Sequence, residues 1–349
     1  MAVHLARGGG EVVTNFLAIE TSCDETAAAV FTDELRVMSN VVASQTGLHA
    51  KFGGVVPEIA SRAHVRSLLP VVDEALSRAG VSLAQVGCIA VHNTPGLVGA
   101  LLVGVSAAKM LAAGLGVPVV AVNHVQSHIY ACRLAAGRDI FPCVGLVVSG
   151  GHTALLRCDS PLAMTLLGGT RDDAAGEAFD KVAAILGLGF PGGPAVEREA
   201  ATGDAAAFDF PRAFVSDGRL EFSFSGLKTA VLYACHGQDV SRATPPPPGK
   251  RRADLAASFQ AAVIDVLAAK AKQALRQTGL KRLAIGGGVS ANQALRAALA
   301  AVCEKEGAEL FIPPMNLCTD NAAMAALAVE KWKRGEFAPP DLDAEPNWL

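Results

Sequence analysis

At 349 residues and 51% hydrophobic, the chain is long enough to fill two cores rather than one. Aromatic residues make up only 5%, so Ala, Val, Leu and Ile must build those cores, as in α/β enzymes. A formal net charge of −3 excludes a molecule that gathers nucleic acid or anionic membrane by bulk charge, so RNA contact would need a local basic patch or a second subunit.

Residues 1–14 hold no long apolar run, so they read as a flexible tail and not as a signal peptide. "NFLAIETSCDETAAAVF" (15–31) then reads as strand, polar turn and strand. Residues 65–79 have a helical pattern interrupted by Pro70, 86–92 form a buried strand, and 97–114 form a helix. The segment 97–122 is the most hydrophobic, but Ser106, Lys109 and Pro118 break it. A buried helix followed by a buried strand fits it better than a membrane span. A helix over 123–136 closes an N-terminal α/β lobe, 15–136.

"CVGLVVSGGHTALL" (143–156) repeats the strand–turn–strand scheme half a chain later, which predicts an internal duplication. The expected C-terminal lobe spans 137–321, with a glycine-rich substrate-side insertion over 169–252. Within it, "ATPPPPGKRR" (243–252) reads as a loop with a basic end, and 282–307 as strand, glycine loop and amphipathic helix. A last helix, 322–334, is expected to pack back on the first lobe, followed by a tail over 335–349. The eight cysteines show no CxxC spacing, which removes zinc-ribbon and thioredoxin-like readings; a disulfide framework is not expected, and a reducing cytoplasm is.

Three features carry chemistry. Glycine turns "SGGHT" (149–153), "FPGGPAVE" (190–197) and "GGGVSAN" (286–292) let backbone amides approach a phosphate or a nucleoside, so nucleotide binding is expected. None is a Walker A loop or a complete dinucleotide fingerprint. Acidic groups cluster in two places: Glu20, Asp24 and Glu25 in the first turn, and Asp172, Asp173, Glu177 and Asp180 in "TRDDAAGEAFDK". For Asp172 and Asp173 helix capping is the favoured reading. His124 and His128 stand four apart on a helix, so their imidazoles share one face. Val125 replaces the glutamate of an HExxH protease, which removes that reading. A metal site needs a third ligand, and "CTDNAAM" (318–324) offers Asp320, with Cys318 as rival. Two imidazoles and a carboxylate suit Zn²⁺ or Fe²⁺.

"ETSCDET", "GGVVPEIASRAH", "NHVQSH", "VSGGHT", "DDAAGEAFDKVAAILGLGFPGGP", "FSFSGLKTA", "GGGVSAN" and "CTDNAAMAA" together resemble the TsaD family of bacterial tRNA threonylcarbamoyladenosine transferases, over about residues 15–335. The resemblance implies an actin-like ATPase fold of the sugar kinase and Hsp70 type. It implies transfer of a threonylcarbamoyl group from threonylcarbamoyl-AMP to N6 of the adenosine beside the anticodon, in tRNAs that read codons starting with A. It also implies a divalent metal on His124, His128 and Asp320, and a phosphate loop over Val147, Val148, Ser149, Gly150 and Gly151. Asp180, Gly193 and Asn292 would hold the ribose and adenine, with Glu197 on the same shelf. Asp24 and Glu25 are candidates for positioning or proton transfer. Implied partners are tRNA, a paralogous TsaB-like subunit, a TsaE-like P-loop ATPase and an upstream TsaC-like synthase; no membrane is implied. An ATP-dependent phosphotransferase or carbamoyltransferase of the same fold would explain the glycine loops but not the histidine pair. A non-catalytic scaffold would have no use for the pair. One departure from the family is Thr94, which replaces a glycine in "NTPGLVG"; a positive φ there would strain it.

Overall fold

The computed structural model describes residues 13–237 and 245–347. Most of the expected N-terminal tail, 1–12, lies outside the described residues.

Two five-stranded sheets share one topology. The first runs β3(Val37–Ser44)–β2(Glu25–Thr32)–β1(Asn15–Glu20)–β4(Val86–Thr94)–β5(Val119–Asn123). The second runs β8(Ala163–Gly169)–β7(Thr153–Ser160)–β6(Cys143–Val148)–β9(Arg282–Gly286)–β10(Glu309–Phe311). In each, the first three strands of the lobe pair antiparallel and the last two add in parallel. The duplication read from the two hairpins is therefore a duplication of whole sheets.

The central strands are apolar on both faces, as strands covered on both sides must be. Leu17 and Ile19 face a core built with α2(Pro57–Ala79) and α3(Val98–Leu115), preceded by a single turn, α1(Thr46–His49). Phe16 and Ala18 face the opposite way, onto the alanine-rich segment Ala322–Val329. In the second sheet, Val144, Leu146 and Val148 face α5(Ala175–Ile185), α6(Gly192–Ala200), α7(Ser225–His236), α8(Lys250–Thr278) and α9(Gln293–Glu306). Cys143 and Val147 face α4(His124–Ala136). After β10 come the short α10(Met315–Cys318), a 3₁₀ stretch Ala322–Leu327, and α11(Ala328–Lys333).

Several expectations change. Residues 169–252 are no appendage: Phe179, Val196, Phe222, Phe224 and Leu227 belong to the core of the second lobe. The proline loop ends at Gly249, because Lys250 opens α8. Its basic end is already engaged: Lys250 pairs with Asp254, Arg252 with Glu199 at 2.8 Å, and Arg251 donates to the Ala234 carbonyl. The helix expected to be buried at 97–114 is only one-third buried. The tail 335–347 is held along the first lobe: Ala338 N–H donates to Val119 O, Glu345 N–H to Asn93 O, and Lys109 to Leu342 O. Thr94 ends β4, and the positive-φ non-glycines among the described residues are Leu35 and Phe214, so the strain considered for Thr94 does not arise. All eight cysteines are free.

Candidate metal centre at the lobe junction

β5 runs into α4 at Asn123, whose side chain accepts the Gln126 amide at 3.0 Å and so caps the helix. His124 is then the first helical residue, and His128 sits one turn on with its ring centroid 4.7 Å away. The two Nε2 atoms converge on Asp320 Oδ1, at 3.6 Å from His124 and 3.2 Å from His128. One ligand-capable atom from each of the three residues lies within 4.8 Å of the others. Cys318, the rival ligand, is turned elsewhere: its thiol donates to Pro313 O at 3.3 Å, and Arg296 Nη2 lies 3.2 Å from its sulfur.

Behind His124 stands a second layer. Glu20, fully buried at the end of β1, lies 3.2 Å from His124 Nδ1 and 2.6 Å from His92 Nδ1, and accepts the Ser22 amide. Ser22 Oγ is 3.0 Å from the same His124 nitrogen. A carboxylate there accepts the Nδ1 proton, so that once the ring gives up its second proton the Nε2 lone pair faces Asp320. Burial would raise both carboxyls, but His92 and His124 outweigh it at Glu20, and His124 and His128 outweigh it at Asp320, so both stay below the usual carboxylate range. Burial pulls His124 down, yet Asp320 and Glu20 hold it up at about 9. Burial keeps His128 below its ordinary value, and its buried ring nitrogens have no well-aligned hydrogen bond. A buried carboxylate, a half-buried one and an imidazole without a well-aligned hydrogen bond converge here, and a divalent metal fits this donor set.

His152, from the glycine turn, joins the cluster with its ring 5.9 Å from His124; burial, His124 and His128 push it down to about 4. The turn between β1 and β2 faces the other lobe. Burial, then Asp24 and Asp320, push Glu25 well above the usual carboxylate range. Burial raises Asp180 on α5 to about 6, against the Gly192 amide it accepts at 2.7 Å; Asp24 adds to the rise from across the cleft.

Among the expected nucleotide contacts, Val147 and Val148 are buried with their side chains in opposite cores, so they can offer only backbone. Ser149 is hydrogen-bonded within its turn, while Gly150 and Gly151 are exposed, with open space beyond their Cα atoms. The loop is set by α5 beneath it: a Cβ on Gly176 would stand 2.5 Å from the Ser149 carbonyl. Gly193 opens on free space, and Asn292 caps α9 through Leu295 N while donating to Gln260 at 2.8 Å. Glu197 accepts the Gln293 amide at 2.8 Å. Asp172 caps α7 rather than α5, and Asp173 pairs with Lys181 and Lys228. Glu20 and His92 were not assigned to the metal centre from sequence. The available signal was a polar residue at the end of buried β1 and another two residues before the end of buried β4.

Duplicated sheets, a polar turn of the first lobe set opposite the glycine turns of the second, and a metal-competent His–His–Asp cluster between the lobes define an α/β protein of the actin-like ATPase fold. Component A of the (R)-2-hydroxyglutaryl-CoA dehydratase of Acidaminococcus fermentans shares that fold, with a TM-score of 0.53 at 13% identity over 92% of this chain and 98% of that one. The family model described as tRNA N6-adenosine threonylcarbamoyltransferase matches residues 36–327. The chain is 54% identical over 338 residues to the tRNA N6-adenosine threonylcarbamoyltransferase of Anaeromyxobacter dehalogenans, covering 96% of this chain and 99% of that protein. It is 51% identical over 336 residues to the protein of that name from Moorella thermoacetica, with 96% of each covered. The chain belongs to the TsaD family and is a tRNA-modifying threonylcarbamoyltransferase.

Proposed function

We propose that the cleft between the glycine turns holds threonylcarbamoyl-AMP and that the His124, His128 and Asp320 cluster holds one divalent ion, Fe²⁺ or Zn²⁺, at its reacting end. The observation that carries this is the convergence of two buried imidazole Nε2 atoms on one carboxylate oxygen, at 3.2 and 3.6 Å. When bound, such an ion supplies Lewis-acid polarisation of carbonyl and phosphate oxygens. Glu20 and Ser22 orient His124, and the amides of Gly150 and Gly151 face the leaving phosphate. Asp180, Gly193 and Asn292 line the nucleoside side.

The transfer forms a bond from N6 of the tRNA adenosine, in a tRNA reading codons that start with A, to the carbamoyl carbon. The mixed-anhydride C–O bond breaks, and AMP leaves. N6 must lose a proton. Asp24 and Glu25, on the turn between β1 and β2, are the candidate acceptors, and burial, then Asp24 and Asp320, raises the proton affinity of Glu25. Val65 and Leu69 on α2, with Val98, Leu102 and Met110 on α3, form an exposed apolar face suited to a paralogous TsaB-like subunit. A TsaE-like ATPase and a TsaC-like synthase complete the set, and the cytoplasm, where tRNA and these partners meet, is the expected location.

The test is reconstitution with threonine, bicarbonate, ATP, the synthase, the partner subunits and tRNA. Modified nucleoside forms only when this chain is present. His124→Ala and Asp320→Ala lose bound metal and product while unfolding cooperatively; metal content unchanged in both rejects the site.

A further inference from the structure

Outside the metal centre, a buried polar network runs from the start of α2 to the turn between β1 and β2. Its direction is fixed at both ends. The Val56 amide can only donate, and does so to His49 Nδ1 at 3.2 Å. His49 must therefore carry its proton on Nε2, which faces Gln45 Oε1 at 3.3 Å. That fixes the Gln45 amide, whose Nε2 donates to Ala60 O at 3.4 Å and lies against the His64 ring, 3.5 Å from its Nε2 and 3.3 Å from its Nδ1. Thr26 Oγ1 donates to His64 Nδ1 at 2.8 Å. His64 is left with its proton on Nε2, and 3.0 Å away stands the Cys23 carbonyl, which can only accept. Every step agrees with neutral imidazoles, and His49, Gln45 and His64 are buried.

The far end of this chain is the turn that carries Asp24 and Glu25. His64 holds the Cys23 carbonyl and the Thr26 hydroxyl, and the backbone N–H of Gln45 donates to the Asp24 carbonyl at 3.1 Å. Two of the turn's backbone carbonyls and its exit strand are thus fixed from behind, while Asp24 acts on Asp180 of the other lobe and Glu25 feels Asp320. We propose that His64 is a positioning residue for the transfer reaction: through Gln45 and Cys23 it sets where Asp24 and Glu25 sit against the substrate. The inference rests on the proposed placement of that turn at the reacting centre. A role of this kind acts on the chemical step, because a misplacement of about 1 Å costs on the order of 100-fold in rate.

The experiment compares His64→Leu, His64→Gln and Asp24→Asn in the reconstituted system, reading kcat, the KM for tRNA, bound metal and thermal unfolding. His64→Leu keeps metal content and cooperative unfolding and lowers kcat about 10- to 100-fold with little change in KM. His64→Gln, whose amide can donate to Cys23 and accept from Thr26, recovers most of the loss. Nitrogen-15 NMR finds His64 as the Nε2–H tautomer. Should His64→Leu not fold, Gln45→Met removes one polar contact with the same ring and gives the same pattern with a smaller fall. A wild-type kcat, a fall in kcat that tracks lost metal, no rescue by glutamine, or an Nδ1–H tautomer overturns the inference. Normal kcat in both His64→Leu and Gln45→Met beside a slow Asp24→Asn overturns it alone. An inert Asp24→Asn overturns the placement of the turn and this inference with it.

Discussion

Glu20→Gln tests whether the metal centre depends on its second layer. Glu20 presents two oxygens: one accepts the Ser22 amide, and the other lies 2.6 Å from His92 Nδ1 and 3.2 Å from His124 Nδ1. Glutamine keeps one oxygen. If that oxygen stays on the Ser22 amide, the NH₂ faces His124 Nδ1 and requires its lone pair. The ring proton then moves to Nε2, the nitrogen that faces Asp320. A metal must displace that tautomer before it binds. Ser22 Oγ, 3.0 Å from the same Nδ1, can still accept a proton there and limits the damage. The expected loss is the range for a second-layer change, about 10- to 100-fold in metal affinity, or about 1.4–2.7 kcal/mol. Competition titration of metal-stripped protein with Zn²⁺ and a calibrated chelator measures it, with thermal unfolding as control. An affinity within about twofold of the parent refutes the tautomer argument.

Three further outcomes follow from single contacts. Gly176→Ala puts a methyl 2.5 Å from the Ser149 carbonyl and 2.8 Å from Gly150, so the glycine turn shifts; the KM for the adenylate rises while metal affinity holds, and an unchanged KM contradicts a phosphate-facing turn. Asp180, raised to about 6 by burial, costs stability above that pH and none below its unfolded value of about 4. Asp180→Asn, which keeps the acceptor for Gly192, is therefore more stable than the parent at pH 8 by about 1–2 kcal/mol, after discounting for partial exposure, and no more stable at pH 3.5; urea midpoints at both pH values check it. Lys270, fully buried in α8, donates to the carbonyls of Phe214 and Arg219 and to Gln273 at 3.2 Å. Lys270→Met leaves those carbonyls without that donor and lowers unfolding free energy by about 2–4 kcal/mol, measured by urea titration.

The sequence made the hairpins legible because period-two apolar runs flank a compact polar turn, at Glu20–Glu25 and again at Ser149–Thr153. It made the histidine pair legible because helical spacing alone sets i and i+4 on one face. It hid β3 and β8, edge strands whose half-exposed residues carry no clean apolar run. The long α8 was obscured by "PPPPGKRR", read as one loop although lysine and arginine sit comfortably in a first helical turn when Asp254 and Glu199 face them. Glu20 and His92 could not be joined on paper, since only the parallel register of β1 and β4 brings the two strand ends side by side.

The duplicated topology also explains why the His–His–Asp cluster stands between the lobes. Each lobe ends its sheet in the same way, with a fifth strand added in parallel at the edge. In the first lobe β5 runs into α4, which crosses to the second sheet and packs Val125 and Ile129 against Val147 and Leu156. In the second lobe the chain leaves β10, passes Asp320, and crosses to the first sheet, where Ala322–Val329 pack against Phe16 and Ala18. The two crossing segments pass each other in the layer between the sheets. A Cβ on Gly286 would stand 2.6 Å from the His128 carbonyl, so α4 lies with its backbone against β9 at this level. His124 and His128 open one crossing, and Asp320 opens the other. The three residues therefore bring equivalent exits of the duplicated lobes together at one point, and the proposed ion would tie them to each other.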